Sequence, residues 1–218
     1  MIGGPMRRVL ACTASAATVL AAAPAHAGDG DGAYGRLDGD LIAVFGAGTG
    51  LASAGSRHFV SAESRLRYLD AAGIVVAYEE AGLLREAQAP GDLRRAFVAA
   101  IEIRPLFPSR FFKNWESGTR FLDLVVDSIG IEVGTWWAAR VGDATARPGL
   151  LAGLGIEVPL TGYADGLWLR IAANARWSAA RLEREDDPGG RQLFLQIGLA
   201  WHAVLAPGLV QPSDGPLR

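Results

Sequence analysis

Few residues in this 218-residue sequence are of a type that does chemistry. Nucleophilic catalysis needs a hydroxyl or thiol, a base within hydrogen-bond reach and a third group that orients the base. The nearest local grouping is His58 with Ser56 or Ser61 and Glu63, residue types suited to acyl transfer. No His-x-Ser pair occurs anywhere, and His202 is followed by Ala203 and Val204. Cys12 is the sole cysteine, so neither a disulfide framework nor a His/Cys metal site is expected. The glycine run at 45–50 superficially has the look of a phosphate-cradling loop. It lacks the Lys-Ser/Thr that such a loop carries and alternates as a strand does, so no cofactor is expected.

What remains is a set of charged and polar residues in one alternate register: Glu102, Arg104, Glu132, Glu157, Arg170, Asn174, Arg176, Gln196 and His202. The elements that carry them show a period of two. At 193–203 the odd positions read Leu, Leu, Ile, Leu, Trp, Ala, with Gln196, Gly198 and His202 between them. At 167–177 apolar Leu167, Leu169, Ile171 and Trp177 alternate with Arg170, Asn174 and Arg176. Similar alternation runs through 150–158, 129–137 and 97–104, and upstream Leu66 and Tyr68 alternate with Arg65 and Arg67, and Ile74, Val76 and Tyr78 with Val75, Ala77 and Glu79. With a Gly-rich first segment at 41–51, the pattern predicts eight strands of roughly 9–14 residues. Ordinary strands average about 5–6 residues, whereas a tilted membrane-crossing strand needs about 9–11.

Composition sets the outer bounds. Half the residues are apolar, 20% are charged, and the mean hydropathy is +0.19, which excludes a disordered chain. A net charge of −2 gives no electrostatic footprint for nucleic acid. Residues 1–27 read as a cleaved signal peptide: Arg7 and Arg8, an apolar small-residue stretch, then Ala25-His26-Ala27, which places the mature start at Gly28. The expected organisation is this leader, a barrel over 28–206 and a polar tail over 207–218.

Short turns, as at 70–73 and 161–166, alternate with longer polar loops at 90–92, 142–149 and 183–190. The segment 106–127 falls where a short turn belongs. Phe121, Leu122, Leu124 and Val125 are spaced as one helical face behind Ser117 or Thr119 as N-cap. One short amphipathic helix is expected, either at the membrane surface with Phe111 and Trp115 as anchors or across the barrel mouth.

Alternation by itself leaves two orientations open. Aromatics near strand ends on the apolar face (Tyr68, Tyr78, Trp137, Trp177, Trp201), small residues among Arg and Glu on the other, and strands without lysine favour lipid outside. The last strand carries Gln196-x-Gly198-x-x-Trp201-x-Ala203, which resembles the signal read by the barrel assembly machinery, although a polar tail follows it here. Taken over 37–205, the chain resembles the small eight-stranded outer-membrane β-barrels of the OmpA-transmembrane-domain and OmpX type. That resemblance implies an all-β, antiparallel up-and-down barrel in contact with outer-membrane lipid, monomeric and without catalytic function. The polar set Glu102, Arg104, Glu132, Glu157, Arg170, Arg176, Gln196 and His202 would then line the interior. Glu102, Glu132 and Glu157 are expected to pair with Arg104, Arg170 and Arg176, because a buried charge is costly unless paired. Arg170 should meet Glu157, with Glu132 joining through Glu157 or a water, and His202 should meet an acid or arginine of strand one or seven. The competing readings are a soluble lipocalin-like barrel with an apolar ligand in its lumen, and a barrel enzyme that modifies lipid A.

Overall fold

The computed structural model describes residues 34–53, 57–81, 93–140, 147–183 and 190–208; the leader, Ser56 and most of the polar tail lie outside them. Eight strands follow one another in chain order: β1 (Leu41–Ala52), β2 (Arg57–Tyr68), β3 (Ala72–Glu80), β4 (Leu93–Ile103), β5 (Gly130–Arg140), β6 (Pro148–Pro159), β7 (Gly166–Trp177) and β8 (Arg191–Leu205). Each pairs antiparallel with the next, and β1 pairs with β8, so the sheet closes into an up-and-down barrel. The strands run from 9 to 15 residues. The Gly-rich segment is strand β1, paired on both sides through Gly46, Gly48 and Gly50.

Because side chains alternate between faces, register determines what lies inside. Ile74, Ile101, Leu154 and Leu195 are 59%, 58%, 58% and 55% exposed. Arg67, Glu157, Arg104 and Arg176, on the other face, are buried. The lipocalin-like alternative requires the reverse, an apolar lumen under a polar exterior. The barrel is instead apolar outside, with its charged residues buried inside. Partly or largely exposed aromatics ring its two ends: Tyr78, Phe97, Trp137 and Trp177 at one, Tyr68 and Trp201 at the other.

The β2–β3 connection is tighter than the sequence suggests. Leu69 and Asp70 both adopt positive φ (49° and 50°), and the Ala71 amide donates to the Tyr68 carbonyl at 3.0 Å. Two consecutive positive-φ residues make a primed hairpin turn, whose twist suits the flanking strands. Gly73 therefore belongs to β3, outside the turn.

At the closing seam, Gly48 and Gly198 face each other across β1 and β8. A methyl group added at Gly198 would meet the Ala47 carbonyl oxygen at 2.6 Å and the Gly48 Cα at 2.9 Å. Backbone cannot swing aside as a side chain does. Gly198→Val is therefore expected to destabilise the barrel by about 1–3 kcal/mol, measured by urea unfolding in detergent. Wild-type stability in this variant would contradict the close approach.

The β4–β5 connection holds two helices where one is expected: α1 (Leu106–Lys113) and α2 (Arg120–Asp127). Pro108 hides α1 from a sequence reading, yet proline is tolerated in a first turn, where amides lack helical partners anyway. Thr119 occupies the N-cap position of α2 without a side-chain cap bond, and the Ser117 hydroxyl accepts from the Thr119 amide at 3.1 Å. Leu124 is buried and Phe121 and Leu122 are exposed, so Leu124 does not share their face. A third helix, α3 (Ala179–Glu183), lies between β7 and β8.

Candidate functional site in the barrel lumen

The lumen divides into two halves. Near the rim where β1 starts and β8 ends, four arginines and five carboxylates meet. Arg65 donates to Glu132 at 2.7 Å and to Glu63 at 2.9 Å, and lies 3.2 Å from Glu102. Arg67 donates to Glu102 at 2.7 Å and to Glu157 at 2.9 Å. Arg104 donates to Asp70 at 3.1 Å and also to Glu157. Arg170 donates to Glu157 at 3.0 Å and directly to Glu132. Glu157 is the hub, taking hydrogen bonds from three guanidiniums.

Neighbouring strands explain only some of this geometry. Glu157 and Arg170 are cross-strand partners, as are Glu102 and Glu132. Two facing carboxylates repel one another. The arginines of β2, reaching over the lumen, supply the positive charge between them. Glu132 is held by Arg170 itself, where the sequence reading has it joining through Glu157 or a water.

His202 departs from expectation. Its Nε2 lies 3.3 Å from a Glu157 oxygen, so its acid comes from β6. The imidazole stacks on Trp168 of β7, with centroids 4.6 Å apart and planes 9° from parallel. Gln196 is also buried, and its amide donates to the Ser61 hydroxyl at 2.7 Å.

The other half of the lumen is apolar and aromatic. Phe59, Val75, Val98, Trp136, Leu151 and Phe194 form one buried cluster. Within it Arg176 makes a two-pronged pair with Glu79, both contacts at 2.6 Å. Its guanidinium also lies 3.9 Å from the Phe194 ring centroid. Arg176 thus belongs to a separate site, and its expected pairing with Glu102, Glu132 or Glu157 is not what the fold provides.

The acyl-transfer grouping is broken by parity. His58 lies on strand β2 and is exposed on the outer face, while Ser61 and Glu63 are on the inner face. The wall of the barrel separates His58 from Ser61 and Glu63, and Ser56 lies outside the described residues. Among the described residues no group of three or more His, Cys, Asp or Glu is placed to hold a metal ion.

Known proteins resemble this chain in shape alone. No family model and no curated protein matches the sequence. Neisserial surface protein A has a TM-score of 0.45 at 11% identity, over 74% of this chain and 96% of its own. A de novo designed transmembrane β-barrel has a TM-score of 0.41 at 10% identity, over 76% and 97%. Ail, the attachment invasion locus protein of Yersinia pestis, solved with the heparin analogue sucrose octasulfate, has 0.39 at 8%, over 75% and 97%. At such values these proteins share a general chain path with this one and no more.

A further polar cluster seats the helices. Arg36 donates to Asp127 at 2.6 Å and lies 4.4 Å from the Phe107 ring centroid. Arg110 donates to Asp127 at 2.7 Å and to Asp123 at 2.5 Å. Asp123 also accepts from the Ser117 amide at 2.8 Å and the Tyr34 hydroxyl at 2.9 Å. Burial opposes ionisation of Asp123, but the Ser117 amide, Arg110 and Tyr34 together hold its carboxyl below the usual range. Burial and the bond to Asp123 push the Tyr34 phenol up.

A carboxyl depressed on folding contributes stability above its unfolded pKa, and that contribution is lost as pH falls through the folded value. Amide exchange in α2 is therefore expected to accelerate as pH drops below the ordinary carboxylate range. Asp123→Asn should remove this acid step and leave strand amides unaffected. An unchanged acid profile in the variant would show that another group controls α2.

Glu63, Arg65, Arg67, Asp70 and Glu79 are absent from the set proposed from sequence. The signal was present, since Arg65, Arg67 and Glu79 sit in the polar phase of clear period-two runs. Charge on β2 and β3 has few sequence neighbours to pair with, Glu63 for Arg65 and Asp70 for Arg67 being the exceptions. Its other partners come from across the lumen.

Proposed function

We propose that this chain is an integral outer-membrane β-barrel with a structural, envelope-integrity or surface-interaction role. The observation that carries the reading is the inversion of faces, with buried ion pairs inside and a continuous exposed apolar surface outside. In water that surface would far exceed the patches soluble monomers tolerate. In a bilayer it is the expected arrangement, flanked by aromatic girdles. Outer-membrane lipid is the partner of this belt, and the ion-pair network plugs the lumen against ion flow. The loops at the rim away from the β1 start offer the surface for contact. Residues 1–27 direct export, and Gln196, Gly198, Trp201 and Ala203 on β8 present the assembly machinery with its recognition pattern. A monomer without catalytic activity completes the reading.

Membrane fractionation, followed by electrophoresis of heated and unheated samples, tests it. An outer-membrane fraction with a band that shifts on boiling is expected, and a soluble periplasmic fraction would overturn it. Planar-bilayer recording tests the plug: no steady conductance is expected, and stable open channels would refute closure of the lumen.

A further inference from the structure

Helix α2 is built inside out, as the barrel is. Asp123, Leu124 and Asp127 are buried on one side, while Phe121, Leu122 and Val126 are exposed on the other. This helix does not hang below the barrel. β5 and β6 pair only as far as Gly130 and Gly155, yet β6 continues to Pro159 with β7 alone beside it. The bare edge of β6 is taken up by the end of α2. The Ser128 hydroxyl accepts from the Glu157 amide at 2.8 Å, and its one proton is shared between the Glu157 carbonyl at 2.8 Å and the Val125 carbonyl of α2 at 2.7 Å. A single side chain thus does for β6 what a paired strand would do, and α2 fills the place where β5 would have extended.

The apolar side of α2 therefore continues the outer belt toward the rim, where Ile103, Leu160 and Tyr163 are also exposed. Phe112 and Trp115, from α1 and the α1–α2 turn, are 84% and 63% exposed. Two cations border this surface. Lys113, the only lysine in the sequence, lies 4.3 Å from the Trp115 ring centroid, and the Arg120 guanidinium lies 4.7 Å from that of Tyr163. Cations beside aromatic rings, at the edge of an apolar face, suit the boundary between acyl chains and anionic headgroups.

Resting on the membrane reading above, we infer that α1 and α2 form a lipid-contacting foot: Phe112, Trp115, Phe121, Leu122 and Val126 enter the near leaflet, and Lys113 and Arg120 engage anionic phospholipid headgroups. The continuity of this face with the lipid belt selects lipid as occupant over a partner protein.

The test uses the full chain with Cys12→Ser and one new cysteine carrying an environment-sensitive fluorophore. Sites are Leu122→Cys on the foot and Leu195→Cys on the belt. Each is refolded into vesicles of phosphatidylcholine, with and without phosphatidylglycerol, using chains brominated near the headgroup for Leu122 and near the methyl end for Leu195. The Leu122 and Leu195 labels should shift to the blue and lose emission to the brominated lipid. Phosphatidylglycerol should deepen the Leu122 quenching, and Lys113→Gln with Arg120→Gln should abolish that increment. A quenched Leu195 label with an unquenched Leu122 label would overturn the foot and leave the membrane barrel standing. An unquenched Leu195 label would overturn both. Shielding at Leu122 that appears only at high protein-to-lipid ratio would assign the face to a second copy and refute lipid as its occupant. Quenching that ignores phosphatidylglycerol would refute the headgroup contact.

Discussion

Glu157→Gln is expected to lower the stability of the folded barrel by about 3–5 kcal/mol, the usual consequence of stripping one partner from a buried ionic cluster. Glutamine keeps the volume, so the loss reports charge. Three guanidiniums, of Arg67, Arg104 and Arg170, hydrogen-bond to this one carboxylate. None can lose its proton to relieve the imbalance, since arginine stays charged in proteins. Reversible urea unfolding in detergent or lipid vesicles measures the loss. A double-mutant cycle with Arg170→Met separates pairing from packing. Each single change leaves the other member without its charge, and the double change removes both, so the combined loss should be smaller than the sum. Additive losses would mean that Glu157 and Arg170 act independently, despite their 3.0 Å contact.

The second large effect is on the opposite face. Ile171→Arg and Leu195→Arg are each expected to cost about 2–4 kcal/mol when the barrel is folded in a bilayer, the midplane value for a cation on the lipid side of a barrel. The comparison is decisive because both residues are exposed in the structure. If water were the surrounding medium, an arginine at an exposed site would change stability by no more than about 0.5 kcal/mol. Stability measured in vesicles, against the same variants in short-chain detergent that lets the side chain reach water, separates the two. A negligible effect in vesicles would place these faces in water and remove the basis for the membrane reading.

Much of the fold was legible in the sequence because period-two alternation is a local property. Strand count, strand order and the split between faces need only neighbouring residues, and Glu157 opposite Arg170 follows from a short hairpin. What could not be read depended on distance across the lumen. Arg67 meets Glu157, 90 positions away, and Arg176 meets Glu79, 97 positions away. Which arginine crosses to which acid is set by barrel tilt and diameter, and neither is encoded in spacing. The helical segment shows a different limit. The apolar run at 121–125 predicts a helix correctly, but with Leu124 on the wrong side. The face that is buried was fixed by Arg36 and Arg110, which draw Asp123 and Asp127 inward. The other helix, α1, with Pro108 in its first turn, was not read at all.

The reach of the β2 arginines also constrains how the chain acquires its shape. Arg65 and Arg67 find few of their carboxylates within their own hairpin; most arrive with β4, β5 and β6. Until those strands are in place, each guanidinium needs water. The lumen must therefore stay hydrated through nearly the whole of assembly and dry only as the seam between β1 and β8 closes. A sheet that curled up early, expelling its water before the acids arrived, would trap bare charge in a medium that cannot solvate it. One that slipped by a residue would turn the same arginines onto the apolar outer face. The ionic cluster thus acts late, as a gate on completion: it admits the register in which every strand has arrived and penalises the rest.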